Sequence, residues 1–166
     1  MRINDDHMYH GAALTQIAEQ PVFKSINAFW SKGKRSNCGF RINDSTGVYI
    51  KYAGSARGRT REYLFTFTEP HLREFNTLRE HCPSVFAVLV CVGDKSICAA
   101  SYGQIMDLIK LRADAKGCTE DQYQVIVEAP SNKQFRVYVN MPNRKGVRLG
   151  ETLVARNAFP EILFRN

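Results

Sequence analysis

Apolar positions recur at helical spacing from Gly11 to Trp30, where Leu14, Ile17, Ala18, Val22, Ile26 and Phe29 fall on or near one face. Pro21 interrupts this stretch and is expected to kink it or split it into two short helices, with Trp30 anchoring its end in the core. The polar run of residues 31–36 then reads as a basic loop. The pattern changes to period two over Cys38–Asn43 and Val48–Ala53, two strands joined across Asp44-Ser45-Thr46-Gly47. Alternation sets Val48, Ile50 and Tyr52 on one face and Tyr49 and Lys51 on the other. Tyr63–Phe67 is a further short strand.

Thr68-Glu69-Pro70 has the chemistry of a helix start, an N-cap hydroxyl followed by an acid and a proline. The helix it opens runs to about His81 with Leu72, Phe75 and Leu78 inward. Val85–Val92 is apolar throughout, as in a strand covered on both faces. Ile97–Ala100 follows a turn, and Ser101 caps a helix with Tyr102, Ile105, Met106 and Ile109 as its apolar stripe. Gln122–Glu128 and Gln134–Asn140 form a second hairpin across residues 130–133. The order predicts a mixed α/β domain, a central mixed sheet of about five to seven strands with helices packed against it. The 166 residues suit a single domain. The tail, residues 141–166, is expected to dock on the core through its apolar end, Leu153, Val154, Phe159, Ile162, Leu163 and Phe164.

The longest apolar run has eight residues, far short of the ~18 that a membrane span requires, so no membrane partner is expected. The first six residues are polar and acidic, unlike a signal peptide, and a cytoplasmic location is the expectation. Cys38, Cys82, Cys91, Cys98 and Cys118 are odd in number and contain no Cys-x-x-Cys pair, which suits reduced thiols. The histidines are not spaced with them as zinc ligands would be.

The net charge of +7 is unevenly spread. Residues 31–61 carry eight basic side chains against the single acid Asp44, and residues 133–166 carry seven against two, while the middle of the chain is acidic. Lys32, Lys34 and Arg35, with Arg57, Arg59 and Arg61 in a small, flexible Gly-Ser-Ala-Arg-Gly-Arg-Thr-Arg segment, are candidates for phosphate contacts. Nucleic acid is the partner this pattern favours.

A helix carrying Glu19, a strand ending at Asp44, a strand carrying Tyr49-Ile50-Lys51, then a helix and a buried strand resemble the restriction-endonuclease-like nuclease superfamily over roughly residues 10–113. That resemblance implies a metal-dependent phosphodiesterase. Lys51 would be the catalytic lysine, Asp44 and Glu19 catalytic acids, and Asp44 a ligand of Mg²⁺. The metal would activate water and stabilise the charged transition state. Tyr49 stands where the family carries its second acid. Either another carboxylate (Glu19, Glu62 or Glu128) takes that place, or the site is degenerate. A different reading is a non-catalytic protein-interaction, inhibitor or accessory module, such as a phage or mobile element encodes. A small-molecule enzyme has least support, since no Gly-x-Ser-x-Gly, P-loop or dinucleotide fingerprint is present.

Overall fold

The computed structural model describes residues 1–165. Helix α1 (Asp5–Ala18) begins earlier than periodicity predicts, because Asn4 closes a capping box with His7. The Asn4 Oδ1 accepts from the His7 backbone N–H at 2.9 Å, and His7 Nδ1 accepts from the Asn4 N–H at 3.2 Å. The helix ends before Pro21 and does not resume. Residues 26–31 are instead the strand β1 (Ile26–Ser31). The spacing of Val22, Ile26 and Phe29 fits a helix, but as a strand it sends Ile26 and Phe29 to opposite faces, each into its own apolar cluster. Trp30 is consequently 60% exposed, not a core anchor.

β1 is followed by β2 (Lys34–Ile42), which takes in Lys34 and Arg35, and by β3 (Thr46–Ala53). Then come β4 (Glu62–Thr68), α2 (Glu69–His81), β5 (Ser84–Cys91) and β6 (Ser96–Ser101). After α3 (Tyr102–Lys116), strands β7 (Gln122–Glu128), β8 (Phe135–Asn140) and β9 (Arg148–Val154) complete the order.

These strands form two sheets, not one central sheet. Sheet A has the order β1-β2-β3-β5-β6, and sheet B the order β4-β7-β8-β9. Within sheet A only β3 and β5 are parallel, with Thr46 opposite Ser84 and Ala53 opposite Cys91. The split occurs at β4, which leaves β3 through the arginine-rich loop and pairs antiparallel with β7. The residues past 141 supply strand β9 and the turn that buries Leu163, whose carbonyl accepts from Thr46 Oγ1 at 2.9 Å.

One face of sheet A carries α1. Ala13 and Ile17 meet Ile42, Val48, Ile50, Val88 and Val90 there, with Leu163 beside them. The other face shares a larger core with α2, α3 and the inner face of sheet B, built on Tyr49, Phe65, Phe67, Phe75, Leu89, Val125 and Val137. This explains the unbroken apolar run of β5, which is covered on both sides.

Helix α2 lies close to β3 because Gly47 has no side chain. A Cβ there would come within 2.6 Å of Leu78 Cγ and 3.0 Å of both its methyl carbons. Gly47→Ala is expected to destabilise the protein by about 1–3 kcal/mol, read as a lower urea midpoint. An unchanged midpoint would mean that α2 does not sit on β3 at this point.

Candidate functional site

The pairing of β1 with β2 contains a large irregularity. Ala28 faces Phe40, but Trp30 faces Arg35, so Phe29 alone spans the four residues Ser36–Gly39. Such a bulge turns side chains off the regular alternation. Ser36 is buried and its hydroxyl holds the bulge closed. It accepts from the Cys38 N–H at 3.2 Å and the Gly39 N–H at 2.8 Å, and donates to Glu74 Oε2 at 2.9 Å. Gly39 is required for closeness, since a Cβ there would lie 3.1 Å from Ser36 Oγ and 3.2 Å from the Phe29 ring.

Five elements converge beside this bulge. Tyr49 and Lys51 project from β3 on the α2 side, and α2 contributes His71 and Glu74. The Tyr49 hydroxyl donates to Glu74 Oε2 at 2.9 Å. Lys51 Nζ lies 3.2 Å from His71 Nδ1, and 5.4 Å from the centre of the Phe67 ring of β4. The Thr68 N–H also points to His71 Nδ1, at 3.2 Å, closing the cap of α2. Two donors at one nitrogen assign the lone pair to Nδ1 and the proton to Nε2, so the imidazole is neutral.

Burial pushes the Lys51 ammonium below its ordinary value, against the pull of Cys38 and Glu74 towards the charged form. Burial, then the charge of Lys51, pushes His71 down as well. The Cys38 thiol is pushed up by burial, so it is not the thiolate a nucleophile requires. Burial, then the charges of Cys38 and Glu74, drives the Tyr49 phenol up, so it acts as a donor.

The sequence candidates divide into those brought together here and those set apart. Lys51 stands in this cluster near the end of β3, whereas Arg35 lines a groove with Asp6, His7 and His10 of α1. Because β2 and β3 are antiparallel, the β1–β2 turn at Lys32-Gly33 and the loop leaving β3 issue from the same end of sheet A. Lys32, Lys34, Arg35, Arg57, Arg59 and Arg61 are exposed at that end. Among the described residues only Arg61 of these six joins a salt bridge, to Asp94. The second basic block is partly spent internally, with Arg136 and Arg148 closing on Glu128 and Glu151, while Lys133, Arg144 and Lys145 are exposed.

Asp44 and Glu19 lie at the opposite end. Asp44 sits in the β2–β3 turn at φ 57°, exposed, beside Asn27 and Arg41. Seven residues separate it from Lys51, about 23 Å along a strand. Glu19 caps the last turn of α1 on the other face of sheet A, just before the segment that Asn43 holds through Lys24 and Ser25. Glu62 and Glu128 belong to the outer face of sheet B, bonded to Tyr138 and Arg148. The carboxylate that does reach Lys51's neighbourhood is Glu74, which the sequence reading passed over. Its signal was present: His71, Glu74, Phe75 and Leu78 share one face of α2 at spacing i, i+3, i+4, i+7.

This donor set does not fit Mg²⁺. The ion wants octahedral oxygen ligands, usually from one or two carboxylates with open positions for water. Glu74 is the one carboxylate here, and its Oε2 already accepts from two hydroxyls. Among the described residues, no group of three or more His, Cys, Asp or Glu side chains is arranged to hold a metal ion. What the cluster can do is hold a partly desolvated cation among aromatic and imidazole groups, which favours a neighbouring anion.

Comparison with known protein families, with curated proteins and with solved structures finds no match to this chain.

The neutral state of His71 has a consequence for stability. A histidine held below its unfolded value contributes fully above pH ~6.5, and that contribution is lost as pH falls towards the folded value. His10, lowered by its burial, behaves in the same way. His71→Gln keeps an acceptor for the Thr68 N–H. It is expected to flatten the fall of the urea midpoint between pH 6.5 and 5, leaving the His10 share. An unaltered pH slope would mean that His71 is not held neutral.

Proposed function

We propose that the chain is a nucleic-acid-associated domain on a nuclease-like scaffold whose phosphodiesterase site is degenerate. The observation that carries this reading is the coincidence at one end of sheet A of Lys51 with two basic segments whose side chains, Arg61 excepted, join no salt bridge among the described residues. Supporting it, α1 and α2 cover opposite faces of sheet A, and a β1-β2-β3 meander is joined through α2 to a β5 parallel to β3. This is similar to the helix–strands–helix–strand order on which the resemblance rests, with the difference that β4, a strand of sheet B, stands between β3 and α2. The exposed arginines and lysines would neutralise phosphates, and Lys51 would meet a phosphate that enters the cluster. Tyr49 in place of an acid, and Glu74 alone in reach, argue for binding without hydrolysis.

Retardation of labelled single- and double-stranded DNA and RNA tests this, with Mg²⁺ or Mn²⁺ present. A shifted band without cleavage is expected. Affinity should fall steeply with salt, and the double variant Arg57→Gln/Arg59→Gln should lower the log–log salt slope by about 1.4 on a single strand or about 1.8 on a duplex. Arg61 is left intact because it is tied to Asp94. Flat salt dependence, or no binding, would overturn the reading. Metal-dependent cleavage that disappears in Lys51→Ala would replace it with an active nuclease.

A protein partner is favoured by a separate feature, a groove of about 630 Å³ between α2 and α3. Its floor includes Leu72, Met106 and Ile109, and its rim Glu69, Asp107 and Asp121, a surface complementary to a basic amphipathic segment. Its α3 and 119–123 residues lie far along the chain from the basic loops, although Glu69 and Leu72 follow Arg61 closely. Asp107→Lys is therefore expected to leave nucleic-acid retardation unchanged; a changed affinity would mean that the two surfaces are one.

A further inference from the structure

Trp30 is the only tryptophan in the chain, and it is 60% exposed. An indole buries a large area when it can, so one left in water at a strand end invites a partner. The strand fixes its direction. Phe29 enters the core shared with α2, so Trp30 turns to the opposite side. It stands on β1, an edge of sheet A, directly across from Arg35, with Ser31 across from Lys34. The tip between them is Lys32-Gly33, both left-handed at φ 48° and 75°. Two such residues make the tight hairpin turn whose twist matches its strands, a stiff mount for the side chains it carries.

Along the hairpin the charge is of one sign, and the acid that approaches it is Asp6 of α1, which lines a groove with Arg35. From residue 20 to residue 43 the chain contains no acidic side chain. Lys32, Lys34 and Arg35 are exposed and join none of the salt bridges of the described residues. We infer that the β1–β2 hairpin is a stacking platform for unpaired bases: Trp30 takes the face of a base in a single strand, and Lys32, Lys34 and Arg35 hold the neighbouring phosphates. This rests on the nucleic-acid reading above and narrows it to a substrate class. A base within a duplex offers no free face, so the platform selects single-stranded nucleic acid. An anionic membrane would meet the same charges. However, Trp30 is the one large apolar side chain exposed on this hairpin, too little for insertion.

Since Trp30 is the sole indole, the emission of the full chain reports on this position directly. The experiment titrates the protein with oligothymidine and with a blunt duplex of equal length, reading tryptophan emission beside the anisotropy of the labelled oligonucleotide. Oligothymidine is expected to quench the emission as anisotropy rises, and the duplex to raise anisotropy with little quenching. Trp30→Ala should weaken single-strand binding about 5- to 100-fold, and Trp30→Phe should restore most of it. The exposed position predicts unchanged urea midpoints for both variants, which separates this effect from misfolding. Binding without quenching, and unweakened in Trp30→Ala, would overturn the platform while leaving the nucleic-acid reading intact. No anisotropy change with any oligonucleotide would remove that reading and the platform with it. Quenching by phosphatidylserine vesicles but not by oligonucleotides would overturn the platform in favour of a membrane contact.

Discussion

A buried hydroxyl must satisfy its hydrogen bonds from protein groups or pay the cost of desolvation, and Ser36 does so with two backbone N–H groups and Glu74. Those three bonds close the bulge between β1 and β2, bring Cys38 to the cluster, and tie α2 to sheet A. Because Glu74 also accepts from Tyr49, one carboxylate oxygen joins the bulge, the third strand and the second helix. The geometry of Lys51 depends on this knot, since His71 sits one helical turn before Glu74 on the same α2 face.

Charge is organised at a longer range. Ion pairing takes up Arg136 and Arg148 of the C-terminal basic block on sheet B, around a Glu128 that is 5% exposed, and leaves Lys133, Arg144 and Lys145 in solvent. The basic loops of sheet A have almost no such partners. The two basic segments of the sequence thus differ in how far they are paired, a distinction that composition could not provide.

What could be read from the sequence was local. Thr68 caps α2 and Ser101 caps α3, because a hydroxyl followed three residues later by an acceptor is sufficient signal. The alternation of Val48, Ile50 and Tyr52 against Tyr49 and Lys51 also holds, because period two is a property of the strand itself. The failures were non-local. Nothing near Tyr63–Phe67 reveals that its neighbour in the sheet is Tyr123–Val127 and not β3. Strand β9 was hidden by Gly150, which bends it at φ 63° and lets Leu108 and Leu111 approach. Glu74 was hidden by its type, because a glutamate on a helix is ordinarily solvent-facing. Asp44 was misleading for a simpler reason, since a residue in the β2–β3 turn and one near the far end of β3 belong to opposite ends of a sheet.

The division of the strands also orders events during synthesis. Every strand of sheet A is present once Ser101 has been made, yet β4, which lies inside that stretch, has no partner until residues 122–128 appear. For that interval Tyr63, Phe65 and Phe67 form an unpaired, aromatic strand of the kind that recruits other chains. The residues immediately before it are Arg57, Arg59, Arg61 and Glu62. Charge flanking an apolar strand is the usual guard against such association. The arginine-rich loop thus stands, in chain order, where such a guard for β4 belongs.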